Sequence, residues 1–295
     1  MRVALIQVPY MIGDDRHSAS QGPQRYLQAG AGELFTVKGI ATSVELVERG
    51  APFRDSTSAS LAVNKNLSAT VQRVTNGGAF PVVLAGSCDA SLGILAGFDH
   101  SRCGVIWVDA HGDFNTPEST VSGFFAGMSL AAVTGHCYRN YWGQMGNNTP
   151  VSEAQTLLLG ARDLDAAERR RLESSAIRMV RWEEGRSQAD VNATLEALAN
   201  RVQEAYLHID MDAMDPEIAP GIVDHPVPGG LSLPQVEEII RAVCSRFRVR
   251  AACLATYTPE RDIGDKTLQV GLRILETLAE CFQQRGSLNW IEGPL

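Results

Sequence analysis

Gly-Val-Ile-Trp-Val-Asp-Ala-His-Gly-Asp, residues 104–113, runs from an apolar stretch straight into a cluster of polar donors, and Ala-Tyr-Leu-His-Ile-Asp-Met-Asp, residues 205–212, repeats that design. Each apolar stretch reads as a buried strand. In an open α/β sheet the donors then fall where strands leave the core, the edge at which such folds bind ligands. Alternate residues of an extended segment point the same way, so Asp109, His111 and Asp113 can aim at one point. Asp210 and Asp212 can do the same from a neighbouring strand.

Further apolar runs at Val3 to Val8, Val82 to Gly86, Thr156 to Gly160, Met179 to Trp182 and Ala251 to Thr256 read as strands beside Val105 to Asp109 and Ala205 to Asp210. Several are rich enough in Val, Ile and Leu to be buried on both faces. Helical patterns lie between most of them, with capping and apolar spacing from Ser187 to Glu204 and from Ser232 to Cys244, and a long terminal helix from Thr267 to Gln283. This alternation predicts an α/β fold with a mostly parallel, doubly wound sheet and helices on both faces. No linker separates two halves, so residues 1–295 are expected to form a single domain.

Carboxylates in this number, within a few ångströms of one another, repel strongly and drive some of their members to take up protons. A pair of divalent cations removes the conflict. Carboxylate donors with an imidazole suit manganese, with zinc, cobalt and iron as alternatives. Read singly, either cluster is equally a set of turn or capping residues after a strand. Their joint occurrence, each behind a buried strand, favours metal.

Val-Asp-Ala-His-Gly-Asp-Phe-Asn-Thr-Pro at 108–117 and His-Ile-Asp-Met-Asp-Ala-Met-Asp-Pro at 208–216 resemble the two signature motifs of the arginase, agmatinase and formimidoylglutamase superfamily. Gly22-Pro23, Gly160-Ala161-Arg162-Asp163-Leu164-Asp165 with Glu168, and Pro228-Gly229-Gly230-Leu231 resemble further family elements. The resemblance implies an arginase-like three-layer α/β/α fold and a binuclear, usually manganese, ureohydrolase in which a metal-bridging hydroxide attacks a guanidine or amidine carbon. Carried across by position, Asp109 and Asp210 bridge the ions, Asp113 completes one site, and His111 with Asp212 the other. Asp113 is then the group that passes a proton to the leaving amine. Family habit also implies a homo-oligomer, a trimer or hexamer.

Departures from the family pattern bear on metal and substrate. Where the family has Gly-Gly-Asp-His-Ser, this chain reads Ala85-Gly86-Ser87-Cys88-Asp89, which places Cys88 at the first metal-binding histidine. A thiolate ligates, but it is softer and shifts that site toward zinc, iron or cobalt. A rival register puts Ala90 there, and a small buried cysteine without a metal is the plain alternative. By resemblance, Asn115, Thr120 and Ser122 hold a substrate carboxylate and Asp165 its ammonium, which favours an α-amino-acid end. At the other end Phe124 and Ala126 replace an Asn and a His, and Thr256 replaces the glutamate that pairs with a guanidinium. A buried guanidinium without its carboxylate is costly. A modified head group, as in Nω-hydroxy-L-arginine, is therefore favoured over plain L-arginine, with a formimidoyl substrate or agmatine as alternatives. Glu260 or Asp262 can supply the missing charge and His225 the missing imidazole, although a loop histidine with no such role is the simpler reading of His225.

A formal net charge of -8 without a basic run argues against nucleic acid, and Arg169-Arg170-Arg171 reads as one charged helix face. No leader pattern follows Met1 and no stretch is apolar enough to span a bilayer, so a soluble cytoplasmic protein acting on a small guanidino or amidino substrate is expected. The cysteines lack CxxC spacing and read as reduced thiols. Two function classes stay open: an active hydrolase, favoured by retention of the five ligands Asp109, His111, Asp113, Asp210 and Asp212 and of the amino-acid-end contacts, and a non-catalytic member that binds metal or a metabolite.

Overall fold

The structure is a computed structural model that describes residues 1–50, 55–222 and 226–286. In chain order the elements are β1 (Arg2–Val8), α1 (Gly22–Gln28), α2 (Ala31–Thr36), β2 (Ala41–Leu46), α3 (Ser56–Asn76), β3 (Phe80–Ala85), α4 (Ala90–Ala96), β4 (Cys103–Val108), α5 (Ser129–Val133), α6 (Arg139–Trp142), β5 (Thr156–Leu159), α7 (Ala166–Ser174), β6 (Arg178–Val180), β7 (Trp182–Glu183), β8 (Arg186–Ser187), α8 (Val191–Ala199), β9 (Glu204–Asp210), α9 (Leu233–Arg246), β10 (Arg248–Ala255) and α10 (Lys266–Gly286). An 8-stranded sheet runs β2-β1-β3-β10-β9-β4-β5-β6. Every pairing in it is parallel.

Period-two alternation explains why the central strands look apolar throughout. Val3, Leu5, Val82, Leu84, Ile106, Val108, Leu207 and Ile209 pack on one face under α1, α2, α8, α9 and α10. Ala4, Ile6, Val83, Val105, Trp107 and Tyr206 pack on the other under α3, α4 and α5. Two cores back to back give the three layers, and strands buried on both faces lose the polar alternation of a half-exposed sheet. The strands β3, β10, β9 and β4 lie side by side at the centre, so their carboxyl ends open onto one crevice.

Expectation and structure part at the edges. Strand β2 carries no buried run: Val44 and Leu46 are exposed, so the edge strand escaped a reading based on apolar stretches. The stretch from Met179 to Trp182 is two strands, for β6 joins the main sheet while β7 pairs antiparallel with β8. Glu184 (φ 48) and Gly185 (φ 73) make the left-handed two-residue turn such a hairpin needs. Because Ser187 belongs to that hairpin, the following helix begins only at Val191, where Asp190 accepts the Ala193 N–H at 3.0 Å. Among the described residues no helix is long and apolar enough to cross a membrane.

Helix α4 is buried along its whole length and rests flush on α3. Gly93 makes this contact: its N–H donates to Asn64 Oδ1 at 2.8 Å, and a Cβ there would lie 2.6 Å from the Asn64 carbonyl oxygen. Gly93→Ala must push the helices apart and is expected to destabilise the protein by about 1–3 kcal/mol, the usual cost of overpacking, read as a lowered urea midpoint at unchanged slope.

Candidate metal centre

Strand β9 ends in Asp210 and strand β4 leads directly into Asp109, both nearly fully buried. The Asp109 carboxylate accepts the His111 N–H at 2.7 Å on Oδ1 and the Trp107 indole N–H at 3.0 Å on Oδ2. Asp210 Oδ1 accepts the Asp212 N–H at 2.8 Å and the hydroxyl of Thr256, and its Oδ2 accepts the Cys88 thiol at 2.7 Å. Cys88 sits in the turn between β3 and α4, which brings the strand end after β3 into the same space.

Donor atoms fall into two groups that share Asp109. His111, Asp109 and Asp212 form one, with His111 Nδ1 3.0 Å from Asp212 Oδ2 and 3.4 Å from Asp109 Oδ1. Cys88, Asp109, His208 and Asp210 form the other, their donor atoms all within 4.8 Å of one another. Asp113 lies outside these groups but close to them: it is buried, its φ of 48 turns the backbone into the left-handed region, and its Oδ2 has no hydrogen-bond partner among the described residues. Reasoning from sequence missed His208, read only as part of an apolar run. The available signal was its place two residues before Asp210, which puts both side chains on one face of β9.

Electrostatics matches the geometry. Burial, with the charges of Asp212 and Asp109, pushes Asp210 well above the usual carboxylate range, and burial with Asp109 and Asp210 does the same to Asp113. Asp109 is raised to about 6 by burial and by Asp212. Burial opposes ionisation of Asp212 too, but His111 outweighs it and lowers Asp212 to about 2. Burial pushes the Cys88 thiol up, with the Asp210 charge adding to it. Two buried carboxylates roughly 4 Å apart repel by about 4 kcal/mol at an effective dielectric constant near 20. Divalent cations relieve such repulsion and would also satisfy the lone Asp113 oxygen, so the donors present fit a pair of them.

The residues assigned to substrate are partly brought together. Asn115 Nδ2 donates to Asp165 Oδ2 at 3.1 Å, linking the loop after β4 to the start of α7. Thr120 and Ser122 lie further along that loop and accept from the N–H groups of Gly123 and Phe124. Thr256 is at the centre instead, its hydroxyl on Asp210, with a left-handed φ of 68. Asp262 is committed to the start of α10, where its oxygens accept the Thr267 and Leu268 N–H groups and the Tyr257 hydroxyl. Glu260 is exposed, and His225 lies outside the described residues. Arg171 is not merely part of a charged face, for it lies over the Phe114 ring and donates to the Phe114 carbonyl at 3.3 Å.

Comparison with known proteins covers nearly the whole chain. The sequence model of the arginase family matches residues 1–280. The arginase of Bacillus caldovelox is 30% identical over 293 residues, which are 94% of this chain and 97% of that protein. The N(omega)-hydroxy-L-arginine amidinohydrolase of Streptomyces lavendulae is 30% identical over 203 residues, 68% of each chain. Among solved structures, the Bacillus caldovelox arginase superposes with a TM-score of 0.85 at 29% identity, covering 94% of this chain and 98% of that one.

Arg162 holds the loop that carries Asp212. Its guanidinium donates to the carbonyls of Asp212 at 2.9 Å, Ala213 at 3.1 Å, Met214 at 3.1 Å and Val227 at 2.8 Å. Hydrogen bonds from a charged donor contribute roughly 1.5–3 kcal/mol each before cooperative losses, so Arg162→Ala is expected to cost about 3 kcal/mol or more in thermal unfolding. Arg162→Lys should recover only part of this, because an ammonium cannot reproduce the planar fork.

Proposed function

Since the chain belongs to the arginase family of metal-dependent ureohydrolases, we propose that it is a binuclear amidinohydrolase that cleaves a C–N bond in the guanidino or amidino head group of a small amino-acid-like substrate. The observation that carries this reading is the meeting of two donor groups at Asp109, beside the buried, unpartnered Oδ2 of Asp113. When bound, a pair of divalent cations neutralises the clustered carboxylates and acidifies a water toward neutral pH. In this reading Asp109, which belongs to both donor groups, and Asp210 would serve both ions, His111 and Asp212 would hold one of them, and Cys88 and Asp113 the other. Asp113 Oδ2 is the atom to receive a proton from the attacking water and return it to the leaving nitrogen.

Manganese suits the carboxylate and imidazole donors, with zinc, iron or cobalt competing wherever Cys88 ligates. Asn115, Thr120 and Ser122 are assigned to the substrate's carboxylate and Asp165 to its ammonium. Thr256 offers no charge to a guanidinium, so Nω-hydroxy-L-arginine is the preferred substrate over L-arginine in this reading. The arginase and the N(omega)-hydroxy-L-arginine amidinohydrolase relatives both stand at 30% identity and do not decide between the two substrates. We further propose one domain over the whole chain, a cytoplasmic location and a homo-oligomeric assembly.

Metal analysis of the purified protein with assays of urea, hydroxyurea, ammonia and formamide release from arginine, Nω-hydroxyarginine, agmatine and formimidoylglutamate tests this. About two ions per chain and turnover of one head group are expected. No metal and no turnover of any of the four would leave the non-catalytic binding protein as the reading. Asp210→Asn removes a shared carboxylate and should lower activity beyond the roughly 10–100-fold typical of residues that only support a ligand, with loss of bound metal. An Asp210→Asn protein that retains both ions and full activity contradicts the assignment.

A further inference from the structure

We propose that His208 is itself a metal ligand and that Cys88, Asp109, His208 and Asp210 form a buried sulfur, nitrogen and oxygen site selective for zinc, cobalt(II) or iron(II) over manganese. The proposal rests on the binuclear reading above and goes beyond it in naming a donor from β9 and the class of ion it selects. The His208 ring is fully buried and its Nε2 has no partner among the described residues. Buried polar atoms of native proteins are nearly always satisfied, so a lone Nε2 on a ring with a nitrogen within 4.8 Å of donor atoms of a thiol and two carboxylates needs an explanation.

The surroundings of the ring hold it in a ligand's posture. Trp107 stacks on it with centroids 3.8 Å apart and 27° between planes, fixing its orientation. Its Nδ1 lies 3.2 Å from Ser91 Oγ and 3.3 Å from Tyr206 OH. Those hydroxyls can accept the Nδ1–H, leaving the Nε2 lone pair free to ligate. A histidine that ligates through one nitrogen while its other N–H is held by a neighbour is the common arrangement at metal sites. Backbone placement leads to the same point. His208 pairs with Trp107 across the β4–β9 ladder, so it lies two residues before the level of Asp109 on one strand and of Asp210 on the other, on the same face.

An imidazole and a thiolate are softer donors than the carboxylates alone, and manganese is the weakest of the first-row divalent ions at such a set. On binding, the thiol proton passes to solvent as the sulfur–metal bond forms. The second group, His111 with Asp109 and Asp212, has no sulfur, and the two halves of the centre therefore differ in the ion they prefer.

The full chain loaded with cobalt(II) tests the assignment by absorption spectroscopy and metal analysis, alongside zinc and manganese competition, for wild type, His208→Gln and Cys88→Ser. Wild type should show a sulfur-to-cobalt charge-transfer band that Cys88→Ser abolishes. His208→Gln should shift the cobalt bands and weaken zinc at one of the two sites by roughly 100-fold, with the other site unchanged. Unaltered bands and zinc affinity in His208→Gln, with two ions still bound, overturn the proposal and leave the binuclear reading intact. Failure of wild type to bind any of the three metals overturns both. Should His208→Gln not fold, proton NMR of cobalt-loaded wild type decides: hyperfine-shifted ring N–H signals from His111 and His208 are expected, and a signal from His111 alone refutes it.

Discussion

Parallel pairing of β4 with β9 sets Val108 level with Ile209, so the two chains leave the sheet together and deliver Asp109 and Asp210 into one buried space. A slip of one residue would turn every side chain of β9 to the opposite face. Both faces are packed, with Tyr206 in one core and Leu207 in the other, so the register is held by burial on each side. The carboxylates cannot relax apart without disturbing that packing. Their repulsion must be met by protons or cations, and the raised affinity of Asp109, Asp113 and Asp210 for protons expresses the same demand.

Much of this was legible because the signals were local. A strand buried on both faces announces itself as an apolar run, and donors at alternate positions after it need no tertiary information to be seen as a group. The predicted runs at Val3, Val82, Val105, Thr156, Ala205 and Ala251 all lie in or along strands of the sheet. Strand β2 was invisible because an edge strand packs by one side and its Thr, Ser and Glu carry no apolar pattern. The hairpin of β7 and β8 was hidden by its brevity.

Within the site, what the sequence left unread was tertiary in origin. His208 sits in an apolar stretch and gains meaning only when Trp107, Ser91 and Cys88, from three other segments, close around it. Cys88 was found as a departure from a family motif, whereas its thiol–carboxylate contact with Asp210 depends on β10 and β9 lying between β3 and β4. Arg162 was visible as a motif residue, but its grip on four carbonyls of other loops was not.

Thr256 follows β10 directly and joins its end to the donor cluster through Asp210. Its hydroxyl is engaged by Asp210 and its backbone is left-handed, a costly conformation for a β-branched residue that persists only where the surroundings enforce it. A glutamate at this position would bring another negative charge beside Asp210, tolerable chiefly with a cationic guanidinium against it. Threonine removes both the repulsion and the attraction, and the nearby Asp262 is engaged as the cap of α10. The strand end thus carries a neutral hydroxyl whose proton is held by Asp210, and in the proposed reading the buried cost of an unpaired guanidinium falls on any fully cationic head group. A hydroxyguanidine, less basic than the parent, bears less of that cost. Under the proposed function, the loss of charge that weakens the case for L-arginine therefore leaves the donor cluster around Asp109 and Asp113 untouched.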